Sequence, residues 1–140
     1  MTKRDNITPT VLFFTYGTLR RGERLHGWLS DNIIEDLGPA TMKGTRLFYA
    51  RGHRQFPYLV TTGSSEDVTV GEVYRVPLNE AIVEMFQMEV NAGYRIMDME
   101  AFIGDEPMNV VVCVCADEAY CGTPVPDNDW CSVERVEWWA

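Results

Sequence analysis

The chain has 140 residues, of which 46% are hydrophobic and 24% are charged, and its formal net charge is −9. This length and balance are typical of one folded globular domain and argue against disorder. The acidic charge argues against general affinity for nucleic acids or anionic membranes, and no apolar run approaches the roughly 20 residues of a membrane span.

The first 50 residues are predicted to contain two strands and one helix. Residues 11–16 are rich in β-branched and aromatic side chains and are predicted as a buried strand. Apolar residues then recur at helical spacing, so residues 20–37 are predicted as a helix that Gly38 and Pro39 close. Residues 41–49 are predicted as one strand, with Gly44 as a bulge or a point of close approach.

The rest of the chain is predicted to contain four strands and one helix. The strands are predicted at residues 56–60, 68–76, 96–103 and 110–116. Pro57 indicates that the first of them lies at the edge of a sheet or that the proline lies at the end of the strand. A helix begins at Asn79, which is a good N-cap, and ends at residues 91–93. Residues 104–107 are predicted as the turn between the last two strands.

This order of elements predicts an α+β fold with a mixed, mostly antiparallel, barrel-like sheet flanked by a few helices. We expect a single domain over residues 11–130, a polar N-terminal extension over residues 1–10 and a C-terminal tail over residues 131–140. The extension lacks the apolar core of a signal peptide, which predicts a cytoplasmic protein.

The four cysteines lie in the last third of the chain, at positions 113, 115, 121 and 131. They include no Cys-x-x-Cys pair and both histidines are far away in sequence, so we expect no metal site and no disulfide. Cys113 and Cys115 face the same side of a strand and are predicted to be small buried side chains.

The twelve basic residues fall partly into two groups. The groups are Arg20, Arg21 and Arg24, and Arg46, Arg51 and Arg54. Two interpretations are open for each group: a site for a small anionic ligand, or ordinary solvated surface. Tyr120 and Trp130 likewise either wall a pocket or pack against the core.

Residues 16–19, Tyr-Gly-Thr-Leu, follow a buried strand and are a candidate for ligand binding. Glycine allows the backbone to approach a ligand closely, and successive N–H groups of such a turn can hold a carboxylate or an oxyanion. The alternative is a purely structural turn.

Glu89 is the second candidate. It lies near the C-terminal end of an apolar helix, where burial and the helix dipole both raise the pKa of a carboxylate toward the range useful for proton transfer. The alternatives are that Glu89 is an exposed end-of-helix residue, or that Glu80 or Glu84 on the same helix is the important carboxylate.

These segments, in their order, resemble the γ-glutamylcyclotransferase-like (AIG2-like) family. Residues 13–22 read Phe-Phe-Thr-Tyr-Gly-Thr-Leu-Arg-Arg-Gly, which is similar to the opening of that family. The likeness continues through Gly-Thr-Arg-Leu-Phe at 44–48, Phe-Pro-Tyr-Leu-Val at 56–60, Val-Gly-Glu-Val-Tyr-Arg-Val at 70–76, Met-Phe-Gln-Met-Glu at 85–89, Tyr-Arg at 94–95 and Gly-Thr-Pro-Val-Pro at 122–126.

The resemblance implies an enzyme that converts a γ-glutamyl amine or peptide to 5-oxoproline and a free amine, without metal or cofactor. It places the catalytic base at Glu89. It places substrate binding at Tyr16, Gly17, Thr18, Leu19 and Tyr94. The implied partner is a small γ-glutamyl molecule, with no nucleic acid and no membrane; the sequence does not define the oligomeric state.

The segment around Glu89 departs from the family pattern. Phe86 and Gln87 stand where leucine and aspartate are usual, Val90 replaces a glycine, and the spacer to Tyr94 is about one residue short. These departures leave two alternatives open. One is a related enzyme that acts on another γ-glutamyl amine, and the other is a non-catalytic binding or regulatory module that keeps the fold and a pocket for a small anion.

Overall fold

The computed structural model describes residues 8–20, 26–53 and 55–132. Within them, the strands are β1 (Thr10–Thr15), β2 (Glu35–Lys43), β3 (Thr45–Ala50), β4 (Pro57–Thr61), β5 (Val68–Pro77), β6 (Tyr94–Ile103), β7 (Glu106–Cys115) and β8 (Cys121–Pro124). The helices are α1 (His26–Ser30) and α2 (Glu80–Asn91), and short 3-10 turns cover Glu118–Tyr120, Pro126–Asn128 and Trp130–Ser132.

Five strands form a closed barrel in the order β1, β5, β2, β6, β7. Four of the five pairings are antiparallel, and the barrel closes through a parallel contact that places Phe13 of β1 opposite Val111 of β7. A separate antiparallel sheet has the order β4, β3, β8. The predicted α+β class and the mixed, mostly antiparallel barrel are therefore confirmed.

Strand β1 is buried on both faces, which fixes the position of the turn that follows it. Phe13 and Phe14 point to opposite sides of the strand, and both are almost fully buried. The Phe13 ring packs edge-on against Phe86 of α2, with 5.2 Å between ring centroids. The largest of the other fully buried side chains are Trp130, Tyr74, Leu29, Met42, Leu47 and Leu59.

The helix predicted over residues 20–37 is wrong in its second half. Helix α1 ends at Ser30, and Glu35 already begins β2, while residues 21–25 lie outside the described part of the chain. The pairing of β2 with β5 shifts register between Asp36 and Gly38, where Gly38 has φ +91°. The apolar residues that continue the helical spacing, Ile33 and Ile34, lie in the connection between α1 and β2.

The strand predicted over residues 41–49 is two strands in different sheets. Gly44 has φ +73° and forms the corner at which the chain leaves β2 of the barrel and enters β3 of the small sheet. The final hairpin is longer than predicted, because β7 begins at Glu106 and Ile103 pairs with Glu106. The turn is therefore only Gly104 and Asp105.

Other local predictions are confirmed. The Asn79 side chain caps α2 by accepting a hydrogen bond from the Ile82 backbone N–H at 2.9 Å. Strand β4 lies at the edge of the small sheet. Cys113 and Cys115 are buried. Trp130 is 1% exposed and packs against Tyr49, which favours the core interpretation of this tryptophan.

The predicted terminal segments fall mostly outside the description. Residues 1–7 and 133–140 belong to the predicted extension and tail and lie outside the described residues. The described part of the chain has no helix that combines the length and the hydrophobicity required to traverse a bilayer.

Candidate active site

A narrow cavity of about 30 Å³ lies at the end of β1 and is bounded by four strands and the last turn of α2. Its lining consists of Phe13, Phe14, Thr15, Tyr16, Gly17, Thr18, Leu19, Pro57, Glu89, Tyr94 and Cys113. The six residues that the sequence and the family resemblance singled out therefore lie around one cavity.

The 16–19 turn is held tightly against β4. The Arg20 backbone N–H donates a hydrogen bond to the Gly17 carbonyl at 3.0 Å and closes a β-turn. A Cβ atom at Gly17 would lie 2.8 Å from Cγ of Pro57, so only glycine allows this approach. The Leu19 side chain is buried, and Thr18 is half-buried at the cavity.

Tyr16 and Tyr94 present phenol oxygens whose single protons are already committed. The Tyr16 hydroxyl donates to the Cys113 carbonyl, and the Tyr94 hydroxyl donates to the Pro57 carbonyl at 2.6 Å. A phenol has one proton to donate, so toward a further ligand each oxygen can act only as a hydrogen-bond acceptor. The two groups therefore suit a ligand that carries N–H donors.

Glu89 lies in the last turn of α2, and its half-buried side chain lines the cavity. Burial disfavours the ionised carboxylate and raises the pKa of Glu89 to about 7. The position of its helix is fixed at the C-terminus, where the Tyr58 hydroxyl donates to the Ala92 carbonyl at 2.7 Å. Gly93, with φ +101°, then allows the chain to pass close to Tyr58.

The other titratable groups of the lining are neutral near pH 7. Burial is the largest cause that raises the pKa values of Tyr16, Tyr94 and Cys113 well above their ordinary values, and the Glu89 charge raises all three further. Of the titratable side chains in this lining, Glu89 is thus the one whose protonation changes near neutrality. The cavity therefore combines one carboxylate that titrates near neutral pH, Glu89, with polar groups that stay uncharged.

The two alternative carboxylates of α2 do not reach this cavity. Glu80 and Glu84 are both exposed to solvent, on other faces of the helix. The departures from the family pattern also lie away from the lining. Gln87 and Val90 are exposed, and Phe86 contacts the cavity only indirectly, through its packing against Phe13.

Of the six arginines in the two groups, the structure describes Arg20, Arg46 and the exposed Arg51. The Arg20 guanidinium is buried and is bound to Glu72 and Asp129, so neither interpretation of this residue is correct. Arg46 pairs with Asp67 at 3.3 Å. Arg21, Arg24 and Arg54 lie outside the described residues.

Sequence reasoning did not assign the other five lining residues to the site: Phe13, Phe14 and Thr15, which directly precede the 16–19 turn, and Pro57 and Cys113, which are remote from it in sequence. Cys113 enters because β7 closes the barrel beside β1, and Pro57 enters because Gly17 packs against it. Both contacts depend on chain segments far apart in sequence, and no local pattern signals them.

The fold and the cavity define a small mixed-barrel protein with a cleft built around one carboxylate and a glycine-containing turn. A family model described as γ-glutamyl cyclotransferase, AIG2-like, matches residues 13–132. The chain therefore belongs to the AIG2-like γ-glutamyl cyclotransferase family. No curated protein matches significantly.

Several solved structures share this fold. The protein PH0828 from Pyrococcus horikoshii is 24% identical, with a TM-score of 0.68, over 87% of this chain and 91% of that chain. An AIG2-like protein from Mus musculus is 20% identical, with a TM-score of 0.64, over 94% and 88% of the two chains. A γ-glutamyl cyclotransferase is 15% identical, with a TM-score of 0.62, over 84% and 73%.

Proposed function

We propose that the protein converts a γ-glutamyl amine or peptide to 5-oxoproline and a free amine by intramolecular aminolysis. The observation that carries this proposal is the position of Glu89, a carboxylate with a pKa of about 7, on the same narrow cavity as the 16–19 turn. Family membership supports the reaction class, and the contacts of the cavity supply a role for each residue.

The reaction begins with proton removal. The α-amine of a γ-glutamyl group is mostly protonated at neutral pH and cannot attack in that form, so a base must take its proton. Glu89 has a pKa close enough to neutrality to accept this proton and to release it later. The phenol oxygens of Tyr16 and Tyr94 accept hydrogen bonds from the amine, because their own protons are committed to backbone carbonyls.

Ring closure then forms one bond and breaks another. The amine nitrogen attacks the γ-carbonyl carbon, and the backbone N–H groups of Gly17, Thr18 and Leu19 bind the negative charge that develops on oxygen. Glu89 passes its proton to the departing nitrogen as the C–N bond breaks, and the regenerated carboxylate then takes the second proton from the ring nitrogen and releases it to solvent. Since nucleophile and carbonyl belong to one molecule, a cavity that holds the substrate folded supplies much of the acceleration.

The direct test is a screen of the wild-type protein for 5-oxoproline release. The panel contains γ-glutamyl dipeptides, γ-glutamyl-lysine isopeptide, simple γ-glutamyl alkylamines and the matching compounds with an acetylated α-amine. We expect release from at least one free-amine compound and none from its acetylated partner, because an acetylated nitrogen cannot close the ring. An absence of release across the whole panel would favour the non-catalytic binding module.

The pH dependence of turnover should report the Glu89 carboxyl. Because Glu89 must be ionised to act as a base, kcat/KM should rise about tenfold per pH unit below pH 7 and level off above it. The substrate amine titrates too, so the carboxyl resonance of ¹³C-labelled Glu89 should be followed directly by NMR. A Glu89 resonance that titrates near its ordinary value of 4.5 would contradict this assignment.

A further inference from the structure

We propose that Arg20 is a positioning residue, whose bonds to Glu72 and Asp129 hold the backbone N–H groups of the 16–19 turn in place for the reacting carbonyl. This inference rests on the proposed function, since it assigns the turn a part in the reaction. Arg20 itself does not line the cavity, so it acts through its neighbours along the chain.

Arg20 joins the turn to two other parts of the molecule. It directly follows Leu19, and its backbone N–H closes the turn onto the Gly17 carbonyl. Its guanidinium Nε donates to Glu72 of β5 at 2.8 Å, and Nη1 donates to Asp129 near the C-terminal end of the described chain at 2.6 Å. With 7% of its surface exposed, Arg20 has little room to adopt another conformation.

Both carboxylates are held in turn by other groups. Glu72 Oε1 accepts a hydrogen bond from the Tyr74 hydroxyl at 3.0 Å. Asp129 Oδ1 also accepts one from the Cys131 backbone N–H at 3.1 Å. The guanidinium is therefore bound to carboxylates that other groups also hold, which makes it a rigid connection rather than a mobile surface contact.

A second contact fixes the turn at the carbonyl that precedes Arg20. Nδ1 of His26 in α1 lies 2.8 Å from the Leu19 carbonyl oxygen, and the His26 ring lies against Tyr74, with 5.8 Å between centroids. Tyr74 thus contacts both Glu72, which binds the Arg20 guanidinium, and His26, which binds the Leu19 carbonyl. The Leu19 carbonyl and the Arg20 N–H belong to one peptide unit, which is thus held at both of its polar groups. The N–H groups that precede this unit therefore have little freedom.

We infer that the buried charge of Arg20 serves to fix the position of the 16–19 turn rather than to stabilise the folded protein. Burying an ion pair costs desolvation free energy, and well-packed apolar side chains often serve stability as well. A planar guanidinium can bind two carboxylates in different directions at once, whereas a lysine ammonium is a single point charge on a flexible chain. Arg20→Lys therefore keeps the charge but loses the fixed two-way connection.

The test compares Arg20→Lys with Arg75→Lys. Arg75 lies in β5, the strand that also carries Glu72, and forms an ion pair with Glu35 at 3.1 Å on the exposed surface. It is therefore a matched control. We expect Arg20→Lys to lower kcat/KM about 10- to 100-fold, mainly through kcat, because a small misplacement of a binding group has effects of this size. Arg75→Lys should match the wild type.

Two readouts separate positioning from a general loss of structure. In Arg20→Lys the acid limb of the pH profile near 7 should be unchanged, since Glu89 is intact. The amide NMR shifts of Gly17, Thr18 and Leu19 should change, while those of β6 should not. Asp129→Asn removes one of the two anchors at a less buried carboxylate and should give a smaller fall in kcat.

The proposal is wrong if folded Arg20→Lys and Asp129→Asn both turn over like the wild type, or if their turn amides keep wild-type shifts. The amide shifts need no substrate, so they test the anchoring even if no γ-glutamyl compound is turned over. A wild-type protein without turnover would instead count against the proposed function.

Discussion

Glu89→Gln should lower 5-oxoproline release by about three orders of magnitude while the protein stays folded, because glutamine cannot take the proton from the attacking amine. The loss should appear in kcat more than in KM, since the amide keeps the size of the carboxylate and its place in the cavity. The measurement is steady-state release from whichever γ-glutamyl compound the wild type turns over best.

Glu84→Gln is the matched control for this change. Glu84 lies on the same helix, is exposed and does not line the cavity, so the same chemical substitution there should leave turnover at the wild-type level. Equal losses in the two variants, or full activity in Glu89→Gln, would show that Glu89 is not the base.

Glu89→Gln should also stabilise the folded protein at high pH. Burial raises the pKa of Glu89 from 4.5 to about 7, so the folded state binds more protons than the unfolded state between these values. Stability contributed by this group therefore falls as pH rises through that window, by roughly 2 kcal/mol for a half-buried carboxylate. Glu89→Gln lacks this penalty, and its advantage in urea unfolding should grow between pH 5 and pH 8.

This pairing of lost activity with gained stability distinguishes a functional carboxylate from a structural one. A carboxylate kept for stability would be ion-paired and would have a lowered pKa, and its removal would cost free energy. A gain in stability above pH 7 that accompanies loss of turnover is the pattern expected of a group held in an unfavourable environment for its chemistry.

Much of the fold could be predicted because its signals are local. The apolar strand before Gly17, the Asn79 cap and the apolar face of α2 each depend on residues within a few positions of one another. The order of these elements predicted the barrel-like sheet, and the family resemblance then raised Glu89 above Glu80 and Glu84. The strand predicted over residues 41–49 failed because a single residue of positive φ, Gly44, turns the chain into another sheet.

The closure of the barrel and the far wall of the cavity could not be predicted in this way. The parallel contact between Phe13 and Val111 joins residues almost a hundred positions apart, and it brings Cys113 to the cavity. The Arg20 connection to Asp129 is similarly remote. Such contacts are decided by the packing of complete elements, which no window of sequence contains.

Gly71→Ala should be the most damaging small substitution for the fold. Gly71 lies in β5 between β1 and β2 of the barrel, where it pairs with Ala40. A Cβ atom there would lie 2.2 Å from the Thr15 carbonyl oxygen and 2.7 Å from Cζ of Phe14. The first contact is with backbone, so it cannot be relieved by a side-chain rotation.

Relief requires β1 to move away from β5, which breaks hydrogen bonds beside the 16–19 turn. We expect a loss of about 3 kcal/mol or more in the free energy of unfolding, at the upper end for overpacking a core. Urea unfolding measures it, with Gly27→Ala as the control. Gly27 lies in α1, and a Cβ atom added to it would meet no atom within 4 Å, so alanine should be neutral or slightly stabilising there.

Gly71→Ala should also lower turnover in the fraction that remains folded, because Thr15 immediately precedes Tyr16. A displaced Thr15 carbonyl shifts the start of the turn relative to Glu89, and misplacement of this kind costs rate even when folding is complete. If Gly71→Ala and Gly27→Ala unfold at the same urea concentration, the contact between β5 and β1 is looser than the structure has it. That result would mean that the packing of β5 against β1 does not affect the cavity. In the structure Gly71 packs against Phe14 and Thr15, which both line the cavity, so we expect the two to be coupled.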